Sequence, residues 1–225
     1  SPHTPIAPSE KFRGQSGITP YADFLIETDD VVGQVMTALD TAGVSDDTLL
    51  IFTTDNGTAS AARFAQLEKK GVQLRHHFKG NKGQIHDGGH RVPFVVRWPG
   101  TVKPGSRCDE LVCLNDFMAT IAELLDVPLP HNAAEDSTSI LPLIVGETNA
   151  LPERPMVVHH DYRGNFAIRH GKWKLVPGEQ PTLFDMHADP KEQDNLAAKL
   201  PEITQGLQDA LQTIKDSGRS RPTTK

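Results

Sequence analysis

Cysteine is nearly missing from this 225-residue sequence: Cys108 and Cys113, five positions apart, are the two present. That is too few for a disulfide framework and the wrong arrangement for a structural zinc site, so both read as packing residues or free thiols. An excess of basic charge is missing too. The 23 Lys and Arg against 29 Asp and Glu give a formal charge of −6, which argues against a dedicated nucleic-acid binder, because displacing phosphate counterions needs a net basic face. Long apolar runs are absent: Leu49-Leu50-Ile51-Phe52 falls far below the roughly 20 residues of a membrane helix, so no membrane span is expected. Aromatic residues make up 6% and hydrophobic residues 37%, and the length suits one large domain or two small ones. Ser1-Pro2-His3-Thr4-Pro5 has neither an initiator Met nor the regions of a signal peptide, and reads as cut from something longer.

From Thr19 the pattern predicts a helix, with Thr19 as N-cap, Pro20 at the first position and Asp23 in the first turn. Phe24, Thr28, Val31, Val35 and Leu39 recur at helical spacing, and Gly43 supplies a left-handed stop. Thr48 to Thr53, without alternation, predicts a strand covered on both faces in a parallel or mixed sheet. Thr58 to Gly89 reads as a long surface excursion with one short helix around Ala61 to Lys69. Pro93 to Arg97 reads as a second buried strand, and Asn115 or Asp116 as the cap of a helix through Phe117, Ile121 and Leu124. Pro, Ser, Thr and Asn crowd residues 126 to 155, a passage between subdomains.

Beyond it lie strand candidates at Met156–His160, Phe166–Arg169 and Trp173–Val176, with a helix from Glu202 to Ile214 to cover one face. The tail after Gly218 is expected to fray. The predicted fold class is α/β: a partial mixed sheet flanked by helices, then a small C-terminal antiparallel sheet with one helix. The expected division is residues 1–150 and 151–225.

Two segments carry chemistry. Asp55-Asn56-Gly57 is a strong turn former, yet it also offers two hard oxygen donors at the carboxyl end of a strand, where open α/β sheets place their sites and where Ca²⁺ or Mg²⁺ would find oxygen. In the second, Phe78 to Pro93, Gly80, Gly83, Gly88 and Gly89 permit close backbone approach, and Lys82 supplies a point charge for an oxyanion. A solvated basic loop accounts for the charges but less well for the glycines. A zinc reading of His76-His77 and His86…His90 lacks matched Cys or carboxylate spacing.

In order, His3-Thr4-Pro5, Thr54-Asp55-Asn56-Gly57, Gly80-Asn81-Lys82-Gly83…Asp87-Gly88-Gly89-His90-Arg91-Val92-Pro93 and Trp98-Pro99-Gly100 closely resemble the C-terminal half of the type I sulfatases, in the alkaline phosphatase superfamily. Asp136…Ser139-Ile140-Leu141-Pro142-Leu143…Gly146 resembles a further family segment, with Thr138 where Gly is usual. Arg169 to Leu175 and Leu183-Phe184-Asp185-Met186…Asn195-Leu196 resemble its C-terminal subdomain.

The resemblance implies that Asp55 and Asn56 are two ligands of a Ca²⁺, that Lys82 contacts a sulfate oxygen, and that His3 stands beside the leaving-group oxygen. It implies a sulfated small molecule or polysaccharide as substrate, and a periplasmic or secreted location. Thr58 to His77, His159, His160 and Arg163 are candidates for the substrate entrance. The family's nucleophile is a formylglycine made within Cys/Ser-x-Pro-x-Arg, and neither Cys108-Asp109-Glu110 nor Cys113-Leu114-Asn115 matches that motif. The expectation is therefore a sulfuric ester hydrolase portion inactive by itself, with an incomplete calcium site and self-association through exposed sheet edges. The alternatives are a phosphonate or phosphate monoester hydrolase on the same scaffold and a non-catalytic binding module.

Overall fold

The computed structural model describes residues 2–73, 78–151 and 154–222. They form two compact units, Ser1–Gly100 and Thr101–Lys225.

The first unit opens with a loop leading to α1 (Pro20–Ala42). Thr19 caps α1 by accepting the Ala22 N–H at 3.2 Å, and Gly43 ends it at φ 68°, where its N–H bonds the Asp40 carbonyl. Tyr21 and Asp23 are buried. Tyr21 joins Ala62 and Leu67 in a small core with Ile6, Ile18 and Phe64 around it, whereas Leu25, Val31 and Val35 stay exposed. Strand β1 (Leu50–Thr53) is followed by a 3-10 turn at Ser60–Ala62, α2 (Phe64–Glu68), the one-turn α3 (Asp87–His90) and β2 (Phe94–Arg97).

β1 and β2 pair antiparallel, Leu50 opposite Arg97 and Thr53 opposite Phe94. The expectation of a strand covered on both faces is corrected here. All four β1 residues are only half-buried, and Val95 of β2 is 58% exposed, because among the described residues each of these strands has the other as its sole partner. The antiparallel register has a consequence for the site. It sets the exit of β1 beside the entrance to β2, so Asp55-Asn56 and the glycine-rich segment emerge at one edge.

In the second unit a 3-10 turn at Leu114–Asp116 runs into α4 (Phe117–Leu124), and α5 (Leu141–Ile144) lies in the proline-rich stretch. Asp116 acts as an acceptor inside the turn. Its carboxylate takes the Cys113 N–H at 2.7 Å, the Thr138 N–H at 3.1 Å and the Arg154 guanidinium at 2.8 Å. Both cysteines are free thiols.

Then β3 (Val157–His160), β4 (Phe166–His170), β5 (Trp173–Val176) and β6 (Thr182–Asp185) form an antiparallel meander in that order. Helix α6 (Pro201–Ser217) presents Leu207 and Leu211 to a core containing Ile168, Leu175 and Leu183. The α/β class and the small antiparallel sheet with its helix are as expected, β6 being a strand added to the three read from periodicity. The frayed tail is corrected for the part described, residues 223–225 lying outside the described residues: Arg219 donates to the His131 carbonyl at 2.8 Å, Ser220 N–H to Asp136 at 2.7 Å and Arg221 N–H to the Glu135 carbonyl at 2.9 Å. No described helix is long and apolar enough to cross a membrane.

Candidate active site

At the exit of β1 the Asn56 side-chain amide donates to the Asp55 carboxylate. The Asn56 Oδ1 is buried and has no hydrogen-bond partner. A buried amide oxygen left unsatisfied costs free energy, so this atom is disposed to accept a donor or a cation.

The next two residues lock onto the glycine-rich segment. Gly57 N–H donates to the Gly89 carbonyl at 2.9 Å, Lys82 N–H to the Thr58 carbonyl at 3.0 Å, and Gly88 N–H to the Lys79 carbonyl at 2.7 Å. This approach explains the glycines. A Cβ at Gly57 would run into the Gly88 carbonyl, and one at Gly88 into the carbonyls of Lys79 and Gly80. Asp87, 3% exposed, pins α3 by accepting Arg91 Nε at 3.0 Å and Nη2 at 2.8 Å. The Arg91 guanidinium in turn covers the Phe78 ring at 4.5 Å.

Lys82 carries its ammonium to the N-terminal segment, where Nζ lies 3.3 Å from His3 Nε2. His3 Nδ1 is 2.9 Å from the Thr4 carbonyl. A carbonyl only accepts, so Nδ1 is the protonated nitrogen and Nε2 faces the lysine with its lone pair. The structure thus joins Lys82 to His3 side chain to side chain, and fastens the strand exit that bears Asp55 and Asn56 to the Lys82 segment through backbone bonds. Among the described residues no group of three or more His, Cys, Asp or Glu is placed to hold a metal. Asp55 and Asn56 together supply two oxygen donors, a fit to part of a Ca²⁺ shell of six to eight. His76 and His77 lie outside the described residues.

Three features were not legible beforehand. Asp23 accepts Ser16 Oγ at 2.6 Å, Gly14 N–H at 2.8 Å and Ser16 N–H at 2.9 Å, fixing the loop before α1. These bonds hold its carboxyl below the ordinary range. Arg63 adopts φ 56° between the 3-10 turn and α2. Tyr21, which lies in the predicted helix without being singled out by its spacing, has its phenol pushed up by burial. The one advance signal was the acidic residue in a first turn.

Comparison with known proteins gives the family. The family model described as Sulfatase matches residues 1–127, and that described as N-sulphoglucosamine sulphohydrolase, C-terminal, matches 76–217. The chain is 32% identical over 235 residues to an N-acetylgalactosamine-6-O-sulfatase of Bacteroides thetaiotaomicron, covering 95% of this chain and 45% of that protein. It is 33% identical to human arylsulfatase A, covering 95% and 46%. A solved structure described under the metabolism of multiple glycosaminoglycans by Bacteroides thetaiotaomicron superposes with a TM-score of 0.87 at 31% identity, covering 95% of this chain and 48% of that one. The chain therefore spans about half the length of the relatives it matches. With family matches over more than half its residues, it belongs to the type I sulfatases of the alkaline phosphatase superfamily.

Proposed function

We propose that this chain is the C-terminal portion of a sulfate ester hydrolase, residues 1–150 contributing to the catalytic α/β domain and 151–225 forming a small subdomain. The observation that carries the proposal is the Lys82–His3 contact, on loops fastened to the Asp55-Asn56 strand exit.

Cleaving an S–O bond leaves negative charge on the departing oxygen and requires neutralisation of the sulfate oxygens. Lys82 meets the second need as a mobile point charge whose three donors turn from His3 Nε2 to a bound oxyanion. His3 meets the first as the imidazolium: with Nδ1–H held by the Thr4 carbonyl, Nε2, whose lone pair faces Lys82 in this structure, takes a proton from solvent once Lys82 turns to the oxyanion and passes it to the leaving oxygen. Asp55 and Asn56 Oδ1 would hold a Ca²⁺ that, when bound, supplies Lewis-acid stabilisation of sulfate charge. The attacking formylglycine and the remaining metal ligands are assigned to polypeptide of the complete protein. The chain alone is expected to turn over no sulfate ester and to bind Ca²⁺ weakly. The substrate is a sulfated small molecule or polysaccharide, encountered in the periplasm or outside the cell.

The test is a panel of aryl sulfate, phosphate diester and phosphonate substrates on the complete protein. Sulfate ester turnover is expected to dominate and to fall about 10²-fold or more in Lys82→Ala, the scale of losing one oxyanion donor. A dominant phosphonate or phosphodiester activity overturns the reaction assignment, and an unchanged rate removes Lys82 from the site. Calorimetric titration of the isolated chain with Ca²⁺ should give a Kd no tighter than about 10⁻³ M. A micromolar site would end the proposal of a divided metal centre.

A further inference from the structure

In the second unit the segment ahead of α5 and the tail behind α6 meet in one arginine-rich contact. Arg219 Nη1 donates to the His131 carbonyl at 2.8 Å. Arg221 Nη2 donates to the carbonyls of Ala133 at 2.8 Å and Pro130 at 3.3 Å. The tail backbone is held as well: Ser220 N–H donates to the Asp136 carboxylate at 2.7 Å and Arg221 N–H to the Glu135 carbonyl at 2.9 Å. One short segment thus offers acceptors to three consecutive tail residues.

The chemistry of those acceptors selects arginine. Backbone carbonyls accept and cannot donate, and Asp136 adds a formal negative charge, so the segment suits a cation rich in N–H groups. A guanidinium spreads five N–H groups over a planar fork, whereas an ammonium gathers three on one nitrogen. Arg219 uses that spread: while Nη1 reaches His131, Nε donates to the Arg221 carbonyl at 2.8 Å and curls the tail on itself.

The contact is built to be reversible. Its bonds to His131, Asp136 and Pro130 lie at exposed positions, where water replaces either partner at little net cost. Arg219 Nη2 is buried with no hydrogen-bond partner, a penalty that undocking relieves. Ala134, inside the receiving segment, stands at φ 55°, a left-handed conformation that a residue with a Cβ adopts at a cost.

The two partners belong to different parts of the unit. Residues 136–140 are stitched to the start of α4: Asn115 Nδ2 donates to the Asp136 carbonyl at 3.1 Å, Ala119 N–H to Ser137 Oγ at 2.9 Å and Ile140 N–H to Thr120 Oγ1 at 3.0 Å. The tail continues α6, whose Leu207 and Leu211 pack on the antiparallel sheet.

We propose that residues 130–136 form a docking site for an Arg-x-Arg segment, and that Arg219-Ser220-Arg221 is its occupant, a releasable strap tying α6 and its sheet to α4. Docking of the strap in cis competes with any Arg-x-Arg peptide added in trans.

The test compares the 225-residue chain with its Arg219→Gln, Arg221→Gln double variant by NMR. Amide exchange at Ser220 and Arg221 should accelerate about tenfold in the variant, while Leu207 and Leu211 keep their protection and show that α6 remains packed. An acetylated Gly-Arg-Ser-Arg-Pro amide should shift the signals of His131, Ala133 and Glu135 in the variant. It should bind the wild-type chain about tenfold more weakly, because the tethered strap competes at high effective concentration. The same peptide with lysine for both arginines should bind the variant severalfold more weakly than the arginine form. Asp136→Ala, at an exposed position, removes the acceptor of Ser220 N–H and should accelerate exchange at that amide without touching either arginine.

Equal exchange at Ser220 and Arg221 in all three chains overturns the strap. A peptide that leaves residues 130–136 unmoved, or a lysine peptide of equal affinity, overturns the arginine site.

Discussion

Lys82 Nζ and His3 Nε2 meet at 3.3 Å although 79 positions separate them in the chain. Because the Thr4 carbonyl holds Nδ1–H, the lysine ammonium donates into a neutral ring. Nitrogen-15 spectra should therefore show His3 as the Nδ1–H tautomer. Lys82→Met should move the Nε2 resonance of His3 and leave that of His187, in the other unit, in place. A His3 signal indifferent to that substitution would show that the two side chains do not touch in solution.

Part of the frame that carries this pair was legible in the sequence. Asn56-Gly57 announced a turn and the glycines a close backbone approach, since each is a local property of residue type. The antiparallel pairing of β1 with β2 was not, because a run such as Leu49 to Phe52 reports burial tendency without naming its neighbour. The burial of Tyr21 was hidden for a related reason: it belongs to the small core that Ala62 and Leu67 build with it, and packing has no sequence period of its own. In the tail, Arg219 and Arg221 reach backbone carbonyls about 90 residues away in the chain, which composition alone presents as solvated charge.

Lys174 on β5 and Glu192 in the loop before α6 form an ion pair at 2.8 Å with both side chains wholly buried. Removing one partner strands a charge in the core, and Lys174→Met should cost about 3–5 kcal/mol in urea unfolding of the second unit. Replacing both, as Lys174→Met with Glu192→Leu, should recover most of that loss, since apolar substitutes of similar volume often match a buried pair. If the double variant were no more stable than the single one, the charge argument would give way to one of shape.

Acid should act on the first unit through Asp23. Its folded pKa lies below the ordinary value because Ser16 and the Gly14 and Ser16 backbone donate to the ionised form. A depressed carboxyl contributes stability that is full above the unfolded pKa of about 4 and is lost as pH falls through the lower, folded value. Amide exchange at Gly14 and Ser16 should accelerate over that interval in the wild-type chain. In Asp23→Asn it should be fast already at pH 7 and change little on acidification. Equal protection in both chains at pH 7 would remove Asp23 as the clamp on this loop.

The exposed apolar residues of the first unit predict association. Val31 is 52% and Val35 43% exposed, one turn apart on α1, with Leu25 at 44% on the same helix and Val95 of β2 at 58%. Spaced at i and i+4, the two valines form a stripe that a surface helix would ordinarily turn inward. β1 and β2 each keep one edge unpaired among the described residues. Unpaired edges and contiguous apolar surface are both routes to self-association. Sedimentation velocity should accordingly show a weight-average mass rising with concentration. Val31→Lys with Val35→Lys should lower it while preserving helicity, because lysine is a better helix former than valine and the positions are open to solvent. Charge placed instead at Met118 and Leu125, exposed residues of the second unit, serves as the control. A wild-type chain that stays monomeric at high micromolar concentration and melts cooperatively would show that these residues are tolerated singly, as scattered surface apolar groups often are.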